Sequence, residues 1–235
     1  MSLAERVERA RRLLAAVEKS YSPASLASSF GAEDMVVLDL IAHDGLAIRV
    51  FTLDTGRLPR ETLDLIAAVR KRYGIAVEAY SPWPESVDAF IEQHGIDGFY
   101  DGVEQRKACC AVRKVEPLRR ALEGKRGWIT GLRREQSGTR AELLETELDP
   151  VHGLWKFSPL ADWSDADVWA YLRENRVPYN ALHDRGYPSI GCEACTRAVK
   201  PGEHPRAGRW WWEQDGARKE CGLHEIPVRV LEKVA

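Results

Sequence analysis

Five cysteines fall as Cys109-Cys110, Cys192-x-x-Cys195 and a single Cys221. A C-x-x-C turn brings two thiolates to one metal face. Adjacent cysteines do the same only when the backbone aims both side chains one way, as at a helix start. Four thiolates suit a tetrahedral zinc ion or a four-iron, four-sulfur ([4Fe-4S]) cluster. Buried free thiols or a redox C-x-x-C pair are the plainer readings. The spacing is not the repeated C-x-x run of small ferredoxins, so it does not imply electron transfer. The odd thiol lies in Glu220-Cys221-Gly222-Leu223-His224, just after Arg218 and Lys219. Neighbouring cations lower a thiol's pKa and make it a nucleophile; the alternative is a merely tolerated cysteine. Two pairs and one odd thiol therefore read as four ligands and one nucleophile.

Three polar loops could meet a phosphate. Ser28-Ser29-Phe30-Gly31-Ala32-Glu33-Asp34 stands between a strand and a helix, where a helix N-terminus offers free N–H groups. It is neither a Walker A loop nor G-x-G-x-x-G. A plain strand–helix turn, with Glu33 and Asp34 complementing the helix dipole, is the other reading. Leu53-Asp54-Thr55-Gly56-Arg57 follows a second strand. Gly131 to Arg140 follows a third and adds cations, or is simply a solvated charged loop. Open parallel sheets bind ligands at the C-terminal ends of their strands, so adjacent loops of this kind point to a nucleotide crevice.

These residues need a scaffold. Strand candidates at 24–30, 47–53, 75–80, 128–132 and 155–160 alternate with helix candidates at 33–43, 59–73, 85–94 and 165–175. Pro59 opens one helix, Gly74 stops it, and Ser164 with Asp167 forms a weak capping box for another. Such alternation predicts an α/β fold with a largely parallel sheet and helices on both faces. The first stretch is an amphipathic helix with Leu3, Val7, Leu13, Leu14 and Val17 toward a core. It is too charged for a signal peptide. After Asn180 the chain is rich in Gly, Pro, Arg and Trp. We expect a nucleotide-binding domain over 1–180 and, over 181–235, a cluster-binding and catalytic tail packed on it as an irregular lid. Trp210-Trp211-Trp212 either walls a pocket or glues this tail to the core.

The charge balance is 34 basic against 36 acidic residues, so no overall basic field favours nucleic acid. No apolar run is long enough for a membrane helix. A local excess does occur between Thr196 and Lys219, where six basic residues face three acidic ones. The expected compartment is the cytoplasm, and the oligomeric state, a homo-oligomer included, is left open.

Taken together, SSFGAEDMV, FTLDTGRL, CCAVRKVEPL, GLRREQSGTRA, GCEACTR, GRWWWE and KECGLH, in that order, form a specific pattern. The chain resembles the assimilatory adenylyl-sulfate reductases, within the wider phosphoadenylyl-sulfate reductase family, from about Ser25 to His224. The resemblance implies a three-layer α/β/α Rossmann-like fold of the adenine nucleotide α-hydrolase type. It implies that Cys109, Cys110, Cys192 and Cys195 hold a [4Fe-4S] cluster and that Cys221 is the nucleophile. Ser28, Ser29, Phe30, Gly31, Asp34, Leu53, Thr55, Gly56 and Gly131 correspond to nucleotide contacts. Lys114 corresponds to a lysine between cluster and substrate. Arg206, Arg209 and His224, with Arg133 and Arg140, correspond to cations around the phosphosulfate. The implied reaction converts adenosine 5′-phosphosulfate to sulfite and AMP, with reduced thioredoxin or a similar dithiol protein as partner. Reduction of the 3′-phosphorylated nucleotide, an adenylating enzyme, and a non-catalytic nucleotide-binding cluster or zinc protein are the alternatives.

Overall fold

The computed structural model describes residues 1–213 and residue 223. Cys221 and His224 lie outside the described residues. The chain forms two compact units. The first comprises Met1–Thr52, Glu61–Glu78 and Gly124–Asn180, and the second Leu53–Arg60, Ala79–Glu123 and Ala181–Ala235.

A six-stranded, mostly parallel sheet makes this a three-layer α/β fold. Its strands are β1 (Ala24–Ala27), β2 (Arg49–Leu53), β3 (Val77–Tyr80), β4 (Gly127–Ile129), β5 (Thr146–Asp149) and β6 (Leu154–Phe157), in the order β3-β2-β1-β4-β6-β5. β1 pairs in parallel with β2 and with β4, in register Leu26↔Val50 and Leu26↔Ile129. β4 and β6 are also parallel. The order reverses at β1, the place where an open sheet leaves a crevice at its strand ends. β5 was not foreseen. It is an antiparallel edge strand, with Leu148 opposite Trp155, and its Thr-Glu-Leu-Asp sequence carries no strong apolar alternation.

Local chemistry sets the helices. α1 (Leu3–Tyr21) begins at a reciprocal capping box between Ser2 and Glu5 and buries Ala10, Leu14 and Val17. α2 (Ala32–His43) is buried over most of its circumference, from Ala32 through Ile41, and packs on α1. α3 (Arg60–Tyr73) starts after Pro59 and ends at Gly74, whose φ of 67° only glycine adopts freely. In the first unit, Asp39 of α2 accepts the hydroxyl protons of Tyr73 and Tyr171 at 2.7 and 2.8 Å. Each oxygen of the buried Asp39 side chain thus has a hydrogen-bond partner. The expected capping box at Ser164 starts the helix Asp165–Glu174.

The second unit contains α4 (Pro84–His94), α5 (Val103–Cys110), a π-helical turn (Ala111–Val115) and α6 (Glu116–Leu122). Phe90, Phe99 and Cys109 form its small core, with Ala194, Cys195 and Trp212 against them. We number the helix after Ser164 as α7 (Asp165–Glu174). Residues 181–213 carry only short turns and one antiparallel bridge, Thr196↔Arg209. Among the described residues no helix is long and apolar enough to cross a membrane.

Candidate functional site

In the first unit, the loop after β1 is braced on the loop after β4. Asp34 Oδ2 accepts from Ser29 N at 2.6 Å and from Ser29 Oγ at 2.8 Å, and Oδ1 accepts from Gly131 N at 3.2 Å. Burial pushes the Asp34 carboxyl up to about 6, although Ser29 and Gly131 donate to its charged form. Gly131 has no substitute: a Cβ there would lie 2.4 Å from Asp34 Oδ1. Phe30, fully buried, sits at φ 60°, a left-handed conformation costly for an aromatic residue, and its N–H donates to Ser28 Oγ.

Two of the expected phosphosulfate cations sit in this unit. Arg133 is buried, and its guanidinium meets Glu33 at 2.8 Å and Glu135 and Asp165 at 3.2 Å, with the Trp163 carbonyl also accepting. Three carboxylates thus surround it within the protein. Arg140 donates to Gln136 Oε1, and Gln136 Nε2 donates in turn to Glu33.

The second unit holds the cysteines. Cys109, Cys110, Cys192 and Cys195 line one cavity of about 360 Å³, part of it open to solvent, together with Arg57, Phe99, Arg106, Arg113, Lys114 and Trp210. None of the four is in a disulfide. Cys109 and Cys110 stand not at a helix start but at the end of α5, where it passes into the π-helical turn. A wider turn re-aims successive side chains, and such turns recur at functional sites. Cys192 and Cys195 flank a short turn in which Cys195 N donates to Cys192 O at 2.9 Å. Among the described residues, no three His, Cys, Asp or Glu side chains form a single-ion site.

Thr55, expected beside a nucleotide, lies against Cys192: the thiol donates to Thr55 Oγ1 at 3.3 Å. Once the thiol ionises, that hydroxyl can turn and donate to it. Arg113 donates to the Thr55 carbonyl at 2.7 Å, and Glu193 N donates to the Arg57 carbonyl at 2.8 Å. Leu53 and Gly56 belong to the same loop, with Gly56 N donating to Asp54 Oδ1.

Burial pushes the Cys109 thiol up, against the pull of Arg113 and Arg57. Burial and the neighbouring Cys192 raise Cys195 to about 12. For Cys192 burial is outweighed by Lys114, the Thr55 hydroxyl, Arg209 and Arg113, and the net shift is downward. Arg209 donates to the Ile190 carbonyl and lies over the Trp210 ring, its Cζ 4.7 Å from the centroid. A Cβ at Gly191 would fall 2.3 Å from its guanidinium. Arg206, three residues earlier, is half-buried. Arg209 Nε, Trp210 Nε1 and Trp212 Nε1 are buried without a hydrogen-bond partner among the described residues. Thiols, cations and unpaired N–H donors form a donor set suited to an anionic, sulfur-rich group.

Arg57, Arg106, Arg113, Trp210 and Thr55 were not foreseen beside the cysteines. A helical signal for two of them was present: Arg106 and Arg113 are i−3 and i+4 from Cys109 and so share its face.

Residues 23–198 match the phosphoadenosine phosphosulfate reductase domain family. The chain is 55% identical over 223 residues to the adenosine 5′-phosphosulfate reductase of Allochromatium vinosum, covering 95% of this chain and 87% of that one. It is 54% identical to the adenosine 5′-phosphosulfate reductase of Burkholderia cepacia, covering 94% and 88%. The crystal structure of phosphoadenylyl-sulfate reductase from Candida auris superposes with a TM-score of 0.69 at 30% identity, covering 81% of this chain and 90% of that one. With three quarters of its length inside the family's domain and relatives sharing more than half its residues, this chain belongs to the phosphoadenosine phosphosulfate reductase domain family.

Proposed function

We infer that this chain is an adenylyl-sulfate reductase, which converts adenosine 5′-phosphosulfate to sulfite and AMP in assimilatory sulfate reduction. The observation that carries the reading is the cation-rimmed cavity lined by Cys109, Cys110, Cys192 and Cys195. Relatives of more than 50% identity bear the name of this activity.

The four cysteines are the residues that would hold a [4Fe-4S] cluster; among the described residues no single-ion site is formed. Such a cluster would supply a fixed electrostatic field beside Lys114 and need not change oxidation state. The reacting group is Cys221. Its thiolate attacks the sulfuryl sulfur, a sulfur–sulfur bond forms, and AMP leaves with the electron pair of the broken S–O bond. The enzyme then carries S-sulfocysteine. A thiolate of reduced thioredoxin or a similar dithiol protein attacks the Cys221 sulfur, and sulfite leaves with the electron pair of the S–S bond. The partner's second thiol resolves the mixed disulfide and regenerates Cys221. Two thiols are oxidised to a disulfide as sulfate is reduced to the sulfite level.

Ser28, Ser29, Phe30, Gly31, Asp34, Leu53, Thr55, Gly56 and Gly131 supply the nucleotide contacts in this reading. Asp34 acts there by bracing Ser29 on Gly131. Lys114, Arg206, Arg209 and His224, with Arg133 and Arg140, are the cations this reading assigns to the phosphosulfate. The compartment we take is the cytoplasm, where Cys221 stays reduced. A second reading, reduction of the 3′-phosphorylated nucleotide, draws on the structural match to a phosphoadenylyl-sulfate reductase.

The test is sulfite release by anaerobically purified protein given either nucleotide and reduced thioredoxin. Sulfite from the adenylyl form alone, lost in C221S with iron and sulfide retained, is expected. Release from neither nucleotide by iron-loaded protein would refute the function.

A further inference from the structure

The four-thiol cavity is built from two segments far apart in the chain, and a buried ion pair joins them. Arg106 stands on α5, three residues before Cys109. Glu213 closes the strap that begins at Cys192. Arg106 Nε donates to Glu213 Oε1 at 2.7 Å and Nη2 donates to Oε2 at 3.1 Å. Their side chains are 0% and 2% exposed. The Arg106 guanidinium also covers the Trp210 ring, 4.5 Å from its centroid. Trp210, held at φ 44°, donates its N–H to the Cys195 carbonyl at 3.2 Å and accepts from Glu213 N at 3.0 Å. Contacts thus run from the Cys109 helix through Arg106, Glu213 and Trp210 to Cys195.

Stability alone is a poor reason for this pair. Both charges lose their water, and apolar residues of equal volume often stabilise a fold as well or better. What a bidentate fork adds is geometry, since it sets distance and angle where apolar contacts slide. We propose that the Arg106–Glu213 pair is a clasp that sets the spacing of Cys109 and Cys110 against Cys192 and Cys195. Arg106 and Glu213 are then positioning residues for the group those thiols hold, and neither is a ligand. The inference rests on the cluster reading above.

The test compares anaerobically reconstituted wild-type protein with E213Q, R106M, R106K and the double variant R106M/E213M. The readouts are iron and acid-labile sulfide, the rate at which the cluster's visible absorption bleaches in a chelator, and the thermal unfolding temperature. Each Gln or Met single variant leaves one buried charge unpaired, so it should unfold at lower temperature and bleach about tenfold faster. The double variant removes both charges. Its unfolding temperature should return toward wild type while bleaching stays about tenfold faster, because the fork is still missing. Bleaching of the double variant at the wild-type rate would overturn the clasp and leave the pair a stability element. Should the Met variants not fold, R106K decides: it keeps the charge and loses the fork, so wild-type bleaching there overturns the clasp and faster bleaching supports it. If wild-type protein takes up no iron and sulfide, the cluster reading fails separately. The clasp is then judged in metal-free C221S protein by the rate at which a thiol reagent labels the four pocket cysteines. Faster labelling on adding R106K supports it, and equal rates overturn it.

Discussion

The loops after β1 and β4 and the thiol cavity solve opposite problems. In the loops, polar groups satisfy one another: Asp34 spends both oxygens on Ser29 and Gly131, and Arg133 is ringed by Glu33, Glu135 and Asp165. In the cavity, cations gather around thiols, and the indole N–H of Trp210 is buried without a partner among the described residues. The first region is a self-consistent frame held by its own hydrogen bonds and ion pairs. The second is a concentration of cations around four thiols. Charge near a ligand is worth most where the protein has not already neutralised it. On the function proposed above, recognition by shape falls to the loops and electrostatic work to the cavity.

Substitutions should separate the two. Cys192→Ser removes the cysteine whose thiol Lys114 and Thr55 favour in ionised form. Iron content and sulfite release should both collapse, while hydrogen-exchange protection of α1, β1 and α2 stays at the wild-type level; loss of that protection would mean the regions are not separable. Gly131→Ala drives a methyl group into Asp34 and displaces the braced loop. We expect a loss of about 10²-fold in kcat/KM with iron unchanged, since misplacement of about 1 Å has costs of that order.

Asp34 sharpens the comparison through pH. Its carboxyl is raised by burial from 3.8 to about 6, so the folded chain holds this proton more tightly than the unfolded chain does. The resulting stability is complete below about pH 4 and is lost as pH rises through about 6. A two-unit shift corresponds to about 3 kcal/mol. Asp34→Asn has no proton to lose, so between about pH 4 and 7 the stability of wild type relative to the variant should fall by about 3 kcal/mol. Urea titrations of both proteins across that range would show it, and parallel curves would contradict it. The smallest effect is Ser164→Ala, which removes the α7 cap and should cost about 1 kcal/mol without changing iron content or turnover.

Part of the molecule was legible because its causes are local. Pro59 and Gly74 bound α3, and Ser164 caps α7, through atoms within a few residues of each other. Alternation of strands and helices pointed to a parallel sheet, and the parallel pairs β1/β2, β1/β4 and β4/β6 form its centre. β5 was not legible, because Thr-Glu-Leu-Asp at an exposed edge has no buried face to impose a period.

The pairing of Cys109-Cys110 and Cys192-x-x-Cys195 around one chemistry could be read from residue types and motif order. Their meeting in one cavity could not. Neither could the contact of Cys192 with Thr55, 137 residues away, nor the ion pair of Arg106 with Glu213, 107 residues away. A sequence by itself determines what each segment can do within its own hydrogen-bonding reach. Which distant thiols, cations and carboxylates meet is decided only when the segments pack, because burial and Coulomb energy depend on distances in space rather than along the chain.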